Sequence, residues 1–250
     1  MERGLYAAAT GMMAQQSIQD ILAQNLANSS TAGYKQDIPT FRAMHELAVN
    51  RVNSGAASGP SVGPIGMGVS PDKIYTDWQA GPLAITNNSL DASLATGQFF
   101  TVQSPGGVRY TRAGNFQLDS TGTLATPNGL AVLGTDGKPI KITGSTPPRI
   151  EPDGSLTVNG ATVAKMQIVE AAKDGLVKDG ETLFRAADPR TVRPTAKPAV
   201  HAGTLEQSNV NVVAGMVKMI TVSRAFEMAQ RAIITQDDLL KHAANDLGRV

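Results

Sequence analysis

Ser208–Leu247 reads SNVNVVAGMVKMITVSRAFEMAQRAIITQDDLLKHAANDL. Within it Val212, Met216, Met219, Phe226, Ile233, Leu240 and Leu247 recur at steps of four and three, or their sum. That spacing is the seam of a coiled-coil-like helix rather than the two-residue alternation of a strand. Ser223, Gln230, Asp237 and Ala244 interrupt the seam, and beside it runs a stripe of small residues, Ala225, Ala229, Ala232 and Ala243, with Leu239. A helix with two such faces can bury them against more than one neighbour. It is not stable alone in water, so the fold turns on what it packs against. Ser208 or Asn209 is placed to cap its start.

The first candidate partner is the other end of the chain. Gly4–Asn28 has no proline and carries Leu5, Ala8, Met12, Ile18, Ile21, Leu22 and Leu26, with Gln15, Gln16, Gln19 and Gln24 on the wetter face. This predicts a second helix, ended by the turn-forming run Asn28-Ser29-Ser30-Thr31-Ala32-Gly33. Two arrangements satisfy the pattern: the two helices pair into one discontinuous domain, or each caps the middle of the chain separately.

Between them the pattern changes. Gln36–Val52 is mixed, with Phe41, Met44, Leu47 and Ala48 spaced for a brief helix behind Pro39. Asn53–Gly68 is rich in Gly, Ser, Ala and Pro and reads as a flexible or extended connector. From Val69 to about Ala187 the period becomes two, as in Asn115–Leu118, Ile140–Ile142 and Ala164–Ile168. Phe99–Val102 and Val108–Thr111 are further strands. Asn-Gly and Asp-Gly pairs at 128–129, 136–137, 153–154, 159–160, 174–175 and 179–180 supply hairpin turns. Leu118–Leu124 and Ile150–Leu156 echo each other as strand, acidic turn, strand. The fold class expected is α+β: terminal helices pairing into a coiled-coil-like domain (1–35 and 206–250), a connecting segment (36–81), and a central, mostly antiparallel β domain with an extended return path (82–205).

Composition bounds the function. The 250 residues carry a net charge of +1, so nothing pulls the chain as a whole toward nucleic acid or an anionic membrane. With no cysteine there is neither a disulfide framework nor a thiolate metal site. No stretch approaches a membrane span, and Met1-Glu2-Arg3 followed by an Ala- and Gln-rich helix is not the pattern of a cleaved leader.

No catalytic constellation emerges. His45, His201 and His242 lie in unrelated contexts. The Asp-Gly loops lack the alternating ligands and terminal Glu of a calcium loop, and Gly63–Gly68 lacks the Lys-Ser/Thr of a phosphate loop. Arg109 and Arg112 around Tyr110 read as charges on one face of an exposed hairpin. Arg224, Glu227 and Arg231 read as intrahelical pairs on the polar side of the last helix. Two rival classes stay open on residues alone. A secreted hydrolase or carbohydrate-binding module would need clustered acids or an aromatic platform, and Trp78 is the single tryptophan. A free-standing dimeric adaptor would need an uninterrupted seam.

Three stretches carry a resemblance. Asn25-Leu26-Ala27-Asn28-Ser29-Ser30-Thr31-Ala32-Gly33-Tyr34-Lys35 closely resembles the N-terminal signature of the bacterial flagellar axial proteins, the rod and hook family. Gly203-Thr204-Leu205-Glu206-Gln207-Ser208-Asn209-Val210-Asn211-Val212, continued by Met219-Ile220 and Arg224-Ala225-Phe226-Glu227, resembles its C-terminal signature. Tyr110–Phe116 resembles the hairpin of its central domain. The resemblance implies a structural basal-body rod subunit with no enzyme activity, cofactor or metal. Asp153–Leu156, Lys165–Val169 and Leu183-Phe184 look most like the proximal rod type, with the distal type as the alternative. It further implies export unfolded through the flagellar type III apparatus without a cleaved leader, and assembly with copies and homologous axial proteins in a periplasm-spanning tube. It implies no nucleic-acid partner and no membrane insertion. The expected assembly interface is Leu5, Met12, Ile18, Leu22, Leu26, Val212, Met216, Met219, Phe226, Ile233 and Leu240. The family motif residues are Asn25, Leu26, Ala27, Asn28, Thr31, Gly33, Tyr34 and Lys35.

Overall fold

A computed structural model describes residues 2–44, 46–50, 61–143, 147–172 and 175–247. Half of the connector expected over 53–68, namely 53–60, and His45 and Asp174 lie outside these. The protein is α+β: a helix at each end and a central antiparallel β region. It forms two compact units, one of residues 1–26, 37–75 and 211–250, the other of 27–36 and 76–210.

In the first unit, helix α1 (Glu2–Ala27) is built from the Ala-, Gln- and Leu-rich stretch and stops at the Asn28 turn. Strands β1 (Asp37–Ala43), β2 (Glu46–Asn50), β3 (Ser61–Gly66) and β4 (Val69–Thr76) form a ribbon in which β1 pairs with β4 and β2 with β3. Phe41, Leu47 and Ala48 of the expected brief helix therefore lie in strands. Its three-to-four spacing is too short to fix a period, and the 61–76 stretch supplies the backbone partners. One face of α1 meets this ribbon: Val69 N–H donates to Thr10 Oγ1, and Ser17 shares a groove with Thr40, Phe41 and Ile74.

Helix α2 (Val212–Leu247) is capped by Asn211, not by Ser208 or Asn209: Asn211 Oδ1 accepts from Ala214 N–H at 3.0 Å. Its less exposed residues include Val212, Gly215, Met219, Val222, Phe226, Ala229, Ile233, Gln236 and Leu240, spaced alternately three and four apart. The period matches the sequence reading but the alternate positions shift by one. Met216 is 50 % exposed, whereas Val222 is buried. The side chain of Gln236 lies 3.2 Å from where a Cβ on Gly4 would stand, near the start of α1. Ion pairs on α2 join Lys241 to Asp237 at 2.6 Å and to Asp238, not Arg224 or Arg231 to Glu227.

In the second unit the strands are β5 (Leu83–Ile85), β6 (Ala92–Leu94), β7 (Gln98–Ser104), β8 (Gly107–Thr111), β9 (Gln117–Leu118), β10 (Leu124–Ala125) and β11 (Ala131–Val132). There follow β12 (Arg149–Ile150), β13 (Ser155–Val158), β14 (Ala161–Lys165), β15 (Ile168–Ala171), β16 (Leu176–Lys178) and β17 (Leu183–Ala186). Strands β18 (Val192–Pro194), β19 (Val200–Ala202) and β20 (Thr204–Glu206) complete the return path. The main sheet runs β16-β17-β8-β7-β11-β10-β9, and β15 joins β7 to β18. β7 pairs with β8 along one edge and with β15 and then β11 along the other.

Adjacent residues of a strand point to opposite faces, and β7 uses both. Phe100 and Val102 enter the larger core with Phe116, Leu124, Ile150, Leu156 and Met166. Phe99 enters a smaller core with Val169, Leu176 and Phe184, onto which Trp78 packs. The Trp78 and Phe184 rings stand 4.9 Å apart, so the one tryptophan is half-buried against the smaller core. The β13–β14 turn is Asn159-Gly160 with φ of 52° and 78°, the two-residue hairpin its sequence announces.

The echoed acidic turns share a mechanism. Asp119 Oδ1 accepts from the Thr121 hydroxyl and from the Thr121 and Thr123 amides. Asp153 Oδ1 accepts from the Ser155 hydroxyl and amide. The Thr121 hydroxyl, then the Thr123 amide, hold the Asp119 carboxyl below its ordinary pKa of 3.8. A depressed folded pKa stabilises the turn above the unfolded value, and the effect is lost as pH falls through the folded value. In an acid titration followed by NMR, the Thr121 and Thr123 amides are expected to be released only below pH 3.8. Asp119→Asn should abolish the step, and release already at a higher pH would contradict the assignment.

Candidate functional site: a buried junction of three segments

The N-terminal motif begins with a clamp. Asn25, buried near the end of α1, donates through Nδ2 to Asp37 O at 2.8 Å and accepts Asp37 N–H at Oδ1 at 2.9 Å. This pair closes the excursion 26–36 on itself. Leu26 is half-buried and Ala27 exposed. Asn28 is buried and shapes the turn: its carbonyl accepts Thr31 N–H, and its Oδ1 accepts the Thr31 hydroxyl at 3.1 Å.

Gly33 follows at φ +69°, against the backbone of the β8 end. A Cβ there would sit 2.3 Å from Ala113 N and 2.7 Å from Arg112 O. Its amide donates to Glu206 O at 2.8 Å. Tyr34 is fully buried, with Lys178 Nζ 3.9 Å from its ring centroid and donating to Lys35 O.

Lys35 is 2 % exposed and reaches Glu206 Oε1 at 2.5 Å and Gln79 O at 2.6 Å. Burial pushes its ammonium below the usual lysine range; the neighbouring Glu206 carboxylate pulls the other way, and Arg112 adds to the depression. Arg112 is 4 % exposed, not on the surface of a hairpin as its sequence context suggested. Its Nε donates to Glu206 Oε2 at 2.8 Å, and a terminal nitrogen pairs with the same oxygen. The remaining donors go to the carbonyls of Ala95, Gln98 and Leu94. Glu206 Oε1 also accepts Gly81 N–H at 3.1 Å.

The three stretches singled out in the sequence thus meet: 31–35, 110–116 and 203–210 converge on one carboxylate. Asn209 extends the weave, accepting Gln36 N–H and donating to Asp77 O. Sequence reasoning missed Glu206 and Arg112 as partners of Lys35. The available signal was one unexplained charge in each motif.

The interface residues expected on the helices do not converge on this junction. Leu5, Met12, Ile18, Leu22, Val212, Met219, Phe226, Ile233 and Leu240 lie half-buried along α1 and α2, with Met216 more exposed. Among the described residues no group of three His, Asp or Glu side chains is placed to hold a metal, and no helix is long and apolar enough to cross a membrane.

A carboxylate held between two buried cations and a backbone amide ties three segments of the chain together. Three family models match in order: flagella basal body rod protein over 5–35, the flagellar hook protein FlgE/F/G D1 domain over 96–177, and the flagellar basal body rod FlgEFG protein C-terminal region over 201–247. The chain is 33 % identical to the flagellar basal-body rod protein FlgG of Bacillus subtilis (strain 168), over 98 % of this chain and 99 % of that one. It is 32 % identical to the flagellar basal-body rod protein FlgF of Rhizobium meliloti (strain 1021), over 99 % of both. It is 30 % identical to the flagellar hook-basal body complex protein FlhO of Bacillus subtilis, over the whole of both.

The chain belongs to the flagellar basal-body rod protein family, whose members are structural components of the basal body and not enzymes.

Proposed function

We propose that this chain is a rod subunit that polymerises through its terminal helices. The observation that carries the reading is the outer face of α2. Val213, Met216, Val217, Ile220, Met228, Ile234 and Leu239 are each at least 50 % exposed, in a helix that already turns another line of residues inward. A helix apolar on more than one side belongs inside a larger body, and a heterologous contact between copies propagates as a filament. Pairing of α1 with α2 in the coiled-coil manner is supported by the alternating spacing on α2 and by Gly4 beside Gln236. The expected interface and a discontinuous helical domain, drawn at α1 and α2 rather than at the full spans 1–35 and 206–250, follow from that pairing.

Assembly partners are copies of this chain and homologous axial proteins. Passage through the flagellar type III apparatus before folding is part of the same reading. Of the two rod positions we favour the proximal, on the Asp153–Leu156, Lys165–Val169 and Leu183-Phe184 stretches. A density map of an intact basal body tests the position directly. In dilute solution the purified monomer is expected to show amide exchange in 213–247 near the random-coil limit. Strong protection there in a monodisperse monomer would overturn assembly-coupled folding.

A further inference from the structure

Lys35, Arg112 and Glu206 come from stretches far apart in sequence, and each is at most 4 % exposed. Two cations share one anion. Arg112 has its donors committed to Glu206 and to three backbone carbonyls, and Lys35 binds Glu206 and the Gln79 carbonyl. Without the Glu206 carboxylate the same interior would hold two like charges, with only the weaker attraction of Asp77 for Lys35 to offset them, a costly arrangement for a folded core. Buried ion pairs of this kind are poor net stabilisers, and their best-attested use is to fix register or switch a structure.

The backbone repeats the dependence. Docking of residues 27–36 places Gly33 N–H on the Glu206 carbonyl, and that docking is what buries Lys35. The following segment is held in turn, with Asp77 N–H on the Gln36 carbonyl and the Lys35 ammonium on the Gln79 carbonyl. A single residue of β20 therefore supplies both the charge and the main-chain acceptor that the N-terminal motif needs.

We infer that Glu206 is a completion switch for the β unit: residues 27–36 stay undocked, with Lys35 in water, until the segment carrying Glu206 arrives, and the two then lock together. The strands around β7 and β8 form without it, because their pairing uses no atom of the junction except through Arg112. If the exported chain emerges amino end first, the unit stays open until residue 206 of 250 is free. That timing rests on the export reading; the switch itself does not.

The test uses the full chain in solution. In Glu206→Gln, which keeps shape and removes charge, amide exchange at Gly33 and Asp77 is expected to accelerate at least about 100-fold. Exchange at Val102 and Arg109, which face each other across β7 and β8, should change by no more than about tenfold. Adding Lys35→Met to Glu206→Gln removes one stranded cation and should restore protection at Gly33 by at least about tenfold. An even acceleration across both regions, or no rescue in the double variant, overturns the switch. If Glu206→Gln loses native Trp78 emission altogether, its return in the double variant supports the switch, and its continued absence overturns it. Export plays no part in these measurements, so their failure would leave the rod reading standing. Normal exchange behaviour with no rod formation would instead remove the rod reading alone.

Discussion

Phe226→Asp is expected to leave the β unit folded and to stop the chain entering a rod. Phe226 is half-buried in the middle of α2, at the meeting point of the line 212–215–219–222 and the line 229–233–236–240. In the isolated chain, where 213–247 are expected to exchange near the random-coil limit, its loss costs little. In an assembly where neighbouring helices cover the rest of the ring, the cost is that of a core aromatic, about 3–5 kcal/mol, with a desolvated carboxylate added to it. Incorporation should therefore fall by more than about 100-fold, while the β unit's thermal transition stays within a few degrees of the parent. The readouts are motility and basal-body yield in cells, and the thermal transition of the purified variant. Normal motility would sink the assembly interface proposed here. A paired comparison separates the two possible seams: Ala229→Asp, on the inward line, is expected to impair incorporation more than Gln230→Asp, on the exposed side.

That comparison matters because the sequence located α2 and its period but misplaced half of its seam. Met216 outranks Gly215 in any hydrophobic reading, yet Gly215 lies on the inner line and Met216 outside it. Glycine, alanine and glutamine at 215, 229 and 236 carry little apolar signal. The start of α2 was misplaced for a related reason. Ser208 and Asn209 are good capping types, but Asn209 is occupied in bonding Gln36 and Asp77, which leaves Asn211 to cap. The strand ribbon 37–76 was half legible. Its Gly- and Pro-bearing return strand reads as connector, and only the long-range pairing makes 46–50 extended. By contrast the Asn159-Gly160 hairpin was legible, because positive φ at that pair is a local property.

The junction was legible as three motifs and illegible as one site. Lys35 and Glu206 are separated by 171 positions and Arg112 and Glu206 by 94, and a lone glutamate in GTLEQSN carries no periodicity. What marks such a residue is burial, and burial of a charge follows only from the whole fold. The resemblance supplied the importance of the stretches, while the geometry supplies the reason. Each residue of the N-terminal motif from Asn28 to Lys35 that the structure buries does so against a specific donor, acceptor or backbone surface, so the motif is a docking strip rather than a generic helix end.

Gly33→Ala is the sharpest test of that strip. The residue sits at φ +69°, where a side chain costs about 1–2 kcal/mol. The added methyl would also stand 2.3 Å from Ala113 N and 2.4 Å from Arg112 C, both backbone atoms that cannot rotate away. Moving them means shifting the end of β8, which carries Thr111 fully buried and Arg112 in its ring of acceptors. With overpacking added to the backbone term, the expected loss is about 2–5 kcal/mol. It should concentrate in 27–36: Gly33 cannot approach Glu206, Lys35 leaves its site, and Trp78 emission changes because its segment is bonded through Gln79 to Lys35. Gly129→Ala is the matched control. It also lies at positive φ, 78°, but with nothing within 4 Å of the new methyl, so it isolates the backbone term alone. If the two variants lose stability equally, contact at the junction contributes nothing beyond local strain, and the three-segment convergence would not be what holds the N-terminal motif in place.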